Sequence, residues 1–259
     1  MKNAVSSIGK NWMLLTNDYV WGHTTSASTK ALVEGAGGKI MDNLLVPQNT
    51  RDFTSYLLKV QQVKPDVIAT AVGGDDLKAL RQQVSDLKLE DKAAWINNQQ
   101  DWPDIWGAPE TLFGVFGTTW YHKLPLPGVA EFVKKWQATN KEGGIPVPGN
   151  VSYNGYMATR ELLKAIERAG STNNVKIIKE LENLKVSATD RMQHFDAFMD
   201  PVTHQMQQTI YLARRNAKPA DKTDLFDIIS WTEPKAAEDA AAAAKCKLVP
   251  YEQVPTVDS

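Results

Sequence analysis

Cysteine is nearly absent. Cys246 stands alone, so the chain cannot close an internal disulfide. Histidine is scarce too: His23, His122, His194 and His204 are scattered, with no metal-ligand spacing among them. Neither sign of charge dominates. Lys+Arg 29 against Asp+Glu 30 leave a formal net charge of −1, which gives no electrostatic reason to expect nucleic acid or an anionic membrane as partner. Lys134-Lys135 and Arg214-Arg215 accordingly read as solvated faces. No apolar run reaches the roughly 18 residues of a membrane span. Met1 to Lys10 has no apolar h-region, so no export signal is read there. Also absent are the G-x-G-x-x-G fingerprint, the phosphate loop and the G-x-S-x-G elbow. No cluster of acid, base and nucleophile can be assembled, so the chain is read as no enzyme and as needing neither cofactor nor metal.

What is present is a regular alternation. Hydrophobic residues make up 42% and charged residues 23%, ordinary values for a globular chain with a good core. Apolar, β-leaning stretches recur at Trp12-Met13-Leu14-Leu15-Thr16, Lys39-Ile40-Met41, Asp66-Val67-Ile68-Ala69-Thr70 and Ala93-Ala94-Trp95-Ile96. Helical periodicity fills each gap: Ala27, Ala31, Leu32 and Ala36; then Phe53, Leu57, Leu58 and Val60; then Leu77, Leu80, Val84 and Leu87. Strand, helix and strand in succession is a βαβ unit, and its repetition predicts a parallel α/β sheet of Rossmann-like type. Leu112 to Trp120 reads as a fifth strand.

The character then changes. Tyr121 to Gly128 reads as a crossover, followed by helices over Val129 to Thr139, Tyr153 to Ala169 and Val175 to Leu184 with no strand of the earlier type. Strands return at Met206 to Ala213 and Phe226 to Ser230. Ala236 to Ala244 is helical by propensity, and the residues after Pro250 are expected to lack order.

In an open parallel sheet, ligands bind outside the carboxyl ends of the strands, so the loops there are the candidate site. The first offers Tyr19, Trp21 and His23: large rigid contact area with a hydroxyl to orient a polar solute, or else simply a cover for the sheet edge. The third offers Gly73, Gly74 and Asp75. Glycine lets backbone approach a ligand, and an acid can take an ammonium, although Asp75 reads equally as the N-cap of a helix beginning at Asp76. The fourth offers Asn97 and Asn98, amides that donate and accept, while Trp102 and Trp106 are expected to pin that loop down.

Several stretches together carry a resemblance. Trp12 to Thr16 followed by Asn17-Asp18-Tyr19-Val20-Trp21-Gly22 resembles a strand with a "D-Y-x-x-G" turn. Asp52-Phe53-Thr54-Ser55-Tyr56-Leu57 is similar to a "T-D-F-S-x-x-L" helix start, and Asp66-Val67-Ile68 leading to Gly73-Gly74-Asp75 to a third strand with its glycine turn. Tyr153-Asn154-Gly155-Tyr156 with Leu162 to Gly170 resembles "Y-x-A…A-I-x-x-A-G", and Asp200-Pro201-Val202-Thr203-His204-Gln205 before Tyr211-Leu212 resembles a late "D-H-Q…Y-V" segment. Their order and spacing resemble the solute-binding proteins of branched-chain amino-acid-type ABC transporters, of the type I periplasmic-binding-protein fold.

That resemblance implies two Rossmann-like lobes clamping a solute. Residues 1–118 would be lobe 2, 119–190 a crossover and the helical remainder of lobe 1, and 191–259 the return to lobe 2 and a tail. It places Tyr121 among the ligand-facing candidates and gives Cys246 a partner outside this sequence. It implies periplasmic capture of an amino acid, an amide or an aromatic acid and delivery to an ABC permease, or alternatively a ligand-sensing receptor domain of the same fold. It further implies that roughly a third of such a protein, the early βα units of lobe 1, precedes the segment seen here. The groups that grip an amino-acid carboxylate would lie in that part, so weak or no solute affinity is expected of this sequence alone.

Overall fold

Strands covered on both faces must be apolar on both, and β1 (Asn11–Asn17) meets that demand: six of its seven side chains are buried. The computed structural model describes residues 2–235 and 248–257. α1 (Lys2–Ser7) leads into β1, then α2 (Val20–Gly35), β2 (Lys39–Val46), α3 (Thr54–Val63), β3 (Val67–Ala71), α4 (Gly74–Asp86), β4 (Ala94–Asn97) and β5 (Val115–Thr118). After them come α5 (Val129–Thr139), α6 (Asn150–Ala169), α7 (Asn174–Glu182), β6 (Lys185–Val186), α8 (Ala188–Arg191), β7 (Ala197–Met199), β8 (Met206–Gln207), β9 (Ile210–Arg215) and β10 (Phe226–Thr232).

The large sheet has seven strands in the order β10-β9-β5-β4-β3-β1-β2. β1 pairs in parallel with both β2 and β3, β3 with β4, and β4 with β5. Strand order therefore reverses between β1 and β3, a topological switch point. The α/β, parallel-dominated architecture expected from the βαβ period is what the chain adopts. One face of the sheet carries Met13, Leu15, Ile68 and Trp95 against Phe53, Leu57, Leu77, Leu80 and Val84 of the helices. The other carries Trp12, Leu14, Val67 and Ala69 against Val5 and Val33. Each fully buried leucine or valine of these layers contributes about 2 kcal/mol relative to exposure.

Two units divide the chain: residues 1–118 with 212–229, and 119–211 with 230–259. Residues 191–211 fall in the second unit and residues 212–229 in the first. The second unit has its own three-stranded antiparallel sheet, β6-β7-β8, which helical periodicity does not betray because two of its strands are only two residues long. Its aromatic centre stacks Tyr153 on Trp120 at 4.9 Å, with Phe132 edge-on to Trp120 at 5.4 Å.

Other expectations need correcting. Met206 to Ala213 is two strands, not one. Gln208 and Thr209 between them spend their side chains on residues 191–195, where Gln208 accepts from Arg191 and Gln193, and Thr209 from the Phe195 amide. The residues after Pro250 are held. Tyr251 donates to Glu182, the Asn174 side-chain amide donates to the Pro255 carbonyl at 2.9 Å, and its oxygen accepts from the Val257 amide at 3.0 Å. The alanine-rich stretch 236–244 and Cys246 lie outside the described residues.

Candidate functional site

The loops at the carboxyl ends of β1, β2 and β3 lie in the first unit. The turn after β1 is tight. Gly22, the glycine of the D-Y-x-x-G pattern, lies so close to the Asn17 carbonyl that an added Cβ would come within 2.0 Å of that oxygen. No side chain fits there. The Tyr19 and Trp21 rings stack on each other, centroids 5.9 Å apart at 29°. Tyr19 is 38% exposed, a large share for an aromatic beside a glycine-rich loop.

Asn17, the last residue of β1, organises the neighbouring loops. Its side-chain oxygen accepts from the Gly73 amide at 3.0 Å. Its nitrogen donates to Asp76 at 3.0 Å and, more weakly, to the Val46 carbonyl at 3.4 Å. Asp76 in turn accepts from the Asn49 amide at 3.2 Å. One buried amide and one buried carboxylate thus tie the ends of β1, β2 and β3 together. Neither residue stands out in the sequence, although a polar residue closing an apolar strand is the signal that could have marked Asn17.

The structure brings Trp21 to Gly73: a Cβ at Gly73 would sit 3.8 Å from the indole, in ordinary contact. Gly74 adopts φ +59, open to glycine at no cost. Gly73, not Asp75, is the N-cap, and α4 begins at Gly74, two residues earlier than the expected start at Asp76. Asp75 is free of that duty and instead faces cations, Lys78 at 3.3 Å and Arg51 at 3.6 Å. Arg51 also stands 3.9 Å from Asp76. His23 pairs with Asp18 at 2.8 Å.

The remaining candidates lie elsewhere. Asn97 is only 2% exposed and accepts the Thr70 hydroxyl at 2.6 Å. Asn98 turns its amide back to the Thr70 carbonyl at 3.0 Å. Tyr121 is buried in the second unit, edge-on to His122 at 4.5 Å. Trp102 does pin its loop, stacking on Trp106 at 5.1 Å and donating to the Thr223 carbonyl at 2.9 Å. Behind that loop Arg81 is fully buried. It bonds Gln100 and the Asp104 carbonyl, while its Nε has no partner among the described residues. Burial pushes its guanidinium down to about 10 and lifts the Asp104 carboxyl above its usual range. This cluster fixes α4 against the loop after β4. Among the described residues no group of three or more His, Cys, Asp or Glu is placed to hold a metal ion.

The arrangement offers stacking surface and a glycine-rich turn at a switch point, with its charged groups already paired. The family model described as "Periplasmic binding protein" matches residues 1–221. No curated protein matches. An amino acid ABC transporter substrate-binding protein from Pseudomonas fluorescens Pf-5 superposes with a TM-score of 0.78 at 19% identity, covering 95% of this chain and 64% of its own. An ABC-transporter solute-binding protein from Rhodopseudomonas palustris BisB5, solved with 3,4-dihydroxybenzoic acid, gives 0.76 at 22% identity, covering 90% and 63%. A leucine-, isoleucine-, valine-, threonine- and alanine-binding protein from Brucella ovis gives 0.74 at 20%, covering 92% and 61%. The chain thus spans less than two thirds of the length of these relatives. With the family model matched over most of its length and the type I fold in place, the chain belongs to the periplasmic binding protein family, whose members bind solutes and are not enzymes.

Proposed function

We propose that this chain is the solute-capturing component of an ABC importer, working outside the cytoplasmic membrane and delivering a small organic solute to a permease. The observation that carries the reading is the outward stack of Tyr19 and Trp21 against Gly73, at the reversal of strand order between β1 and β3. Relatives solved or named with amino acids and with a benzoic acid supply the two solute classes to try. No bond is made or broken. Capture acts by favouring one conformation of the protein over another, in proportion to the difference in affinity. No helix of the described residues is long and apolar enough to cross a membrane.

Thermal denaturation of a form extended to the length of the relatives, against a panel of amino acids, amides and aromatic acids, tests this. A saturable rise in Tm with one chemical class supports capture, since a ligand bound only by the folded state stabilises it by mass action. A flat Tm across the panel, with calorimetry equally silent, would overturn it.

A further inference from the structure

Arg214 and Arg215 are adjacent in sequence and part company in the fold. Arg214 holds Asp227 across the β9–β10 hairpin at 2.9 Å. Arg215 holds no carboxylate. Its guanidinium donates to the Glu110 carbonyl at 3.2 Å, on the segment leading into the amino end of β5. Lys218 and Lys222 follow on the same exposed loop, and none of these three cations forms an ion pair among the described residues. The loop's own acids are engaged: Asp221 accepts the Thr223 amide at 2.8 Å and Asp224 the Ala220 amide at 3.0 Å.

Further bonds hold the loop in one shape. The Asn216 side chain accepts from the Lys218 amide at 2.9 Å, and the Asn216 amide donates to the Leu225 carbonyl at 2.8 Å. The Trp102 indole pins Thr223. Arg215 borders a cavity of about 440 Å³ walled by Pro109, Asn216, Ala217, Pro219 and Leu225. Mostly apolar walls beside a guanidinium without a counter-ion suit an anion carried on a small organic body. Three cations favour two negative charges over one, and an arginine fork with lysine point charges is a set that takes a phosphate. A loop already held in shape loses little conformational freedom on binding.

We infer that the β9–β10 loop is a binding site for a phosphorylated small molecule, separate from the loops after β1, β2 and β3. Its occupancy does not depend on solute capture at those loops. Phenyl phosphate, phenyl sulfate and phenol share a ring and carry two, one and no negative charges at about pH 8, since the second phosphate ionisation falls at about 6. Each is titrated into the isotope-labelled protein and into Arg215→Gln and Lys218→Gln/Lys222→Gln variants. The Ala217 and Ala220 amide signals report the loop, and so does the Trp102 indole, whose acceptor is Thr223. Phenyl phosphate is expected to shift these signals saturably and to bind about fivefold tighter than phenyl sulfate, with phenol silent. Arg215→Gln should weaken phenyl phosphate about tenfold, through loss of a charge-assisted hydrogen bond. The double lysine variant should narrow the phosphate–sulfate gap. All three side chains are exposed, so an unchanged Tm is expected of both variants. Equal affinity for phosphate and sulfate, undiminished binding by Arg215→Gln, or shifts centred on Trp21 and Gly73 in place of this loop would each overturn the assignment. So would silence from phenyl phosphate up to about 20 mM, beyond the millimolar scale of weak binding.

Discussion

At the scale of single residues, the site is built by exclusions. Gly22 is required because the Asn17 carbonyl occupies the space of a side chain. Gly22→Ala should cost about 2 kcal/mol or more, read as a lower denaturation midpoint at unchanged slope. Asn17→Ala leaves the Gly73 amide and the buried Asp76 carboxylate without their shared partner. An expected loss of about 2 kcal/mol follows, with Asn17→Asp worse because it sets a second carboxylate against Asp76. Burial pushes the Tyr211 hydroxyl up to about 12 from its ordinary 10, against the lowering effect of the His194 backbone amide. Burial lifts Tyr153 further still. Their folded values lie above the unfolded ones, so the stability they contribute is complete below pH 10 and is lost as pH rises from 10 towards 12. Urea titrations between pH 8 and 11 should show that fall, and Tyr211→Phe should make it shallower. A fall of unchanged slope in the variant would contradict the assignment to Tyr211.

At the scale of elements, the βαβ run was legible because parallel strands covered on both faces are apolar throughout. Trp12 to Thr16 and Val67 to Ala71 are buried residue after residue, and so contrast with the amphipathic helices between them. What was not legible was pairing between residues far apart. Gln208 and Thr209 look like strand in an apolar alternation, yet their side chains are spent on residues 191–195. Arg51 and Asp75, 24 positions apart, are brought to 3.6 Å only by the fold. Asn97 closes its strand as a candidate should, but the fold uses its oxygen for Thr70. The segment after Pro250 shows the same limit, because its partners, Glu182 and Asn174, lie on α7. That helix has no fully buried residue of its own, so the segment is expected to hold it. Tyr251→Phe should speed hydrogen exchange across residues 174–182 by about fivefold, roughly 1 kcal/mol. Unchanged exchange there would show that α7 stands without the clasp.

At the scale of the whole molecule, the first unit is discontinuous: residues 212–229 complete what 1–118 begins. Phe226 packs edge-on to Phe116 at 4.6 Å, and the Trp102 indole bonds the Thr223 carbonyl. A chain ending at Tyr211 should therefore lose more than about 3 kcal/mol from the first unit, since it uncovers one buried aromatic contact and leaves a buried indole donor unpaired. Two-state unfolding with unimpaired stability in that fragment would refute the division. Family membership places the fold, and the loops after β1 and β3 then carry the solute claim.

The most direct test of that claim is protein-detected NMR of the tryptophan indole and glycine amide signals during titration with benzoate. Saturable, concerted shifts of the Trp21 indole and the Gly73 and Gly74 amides are expected, while the buried Trp102 indole stays still. Shifts confined to other residues, or none at saturating solute, would contradict it.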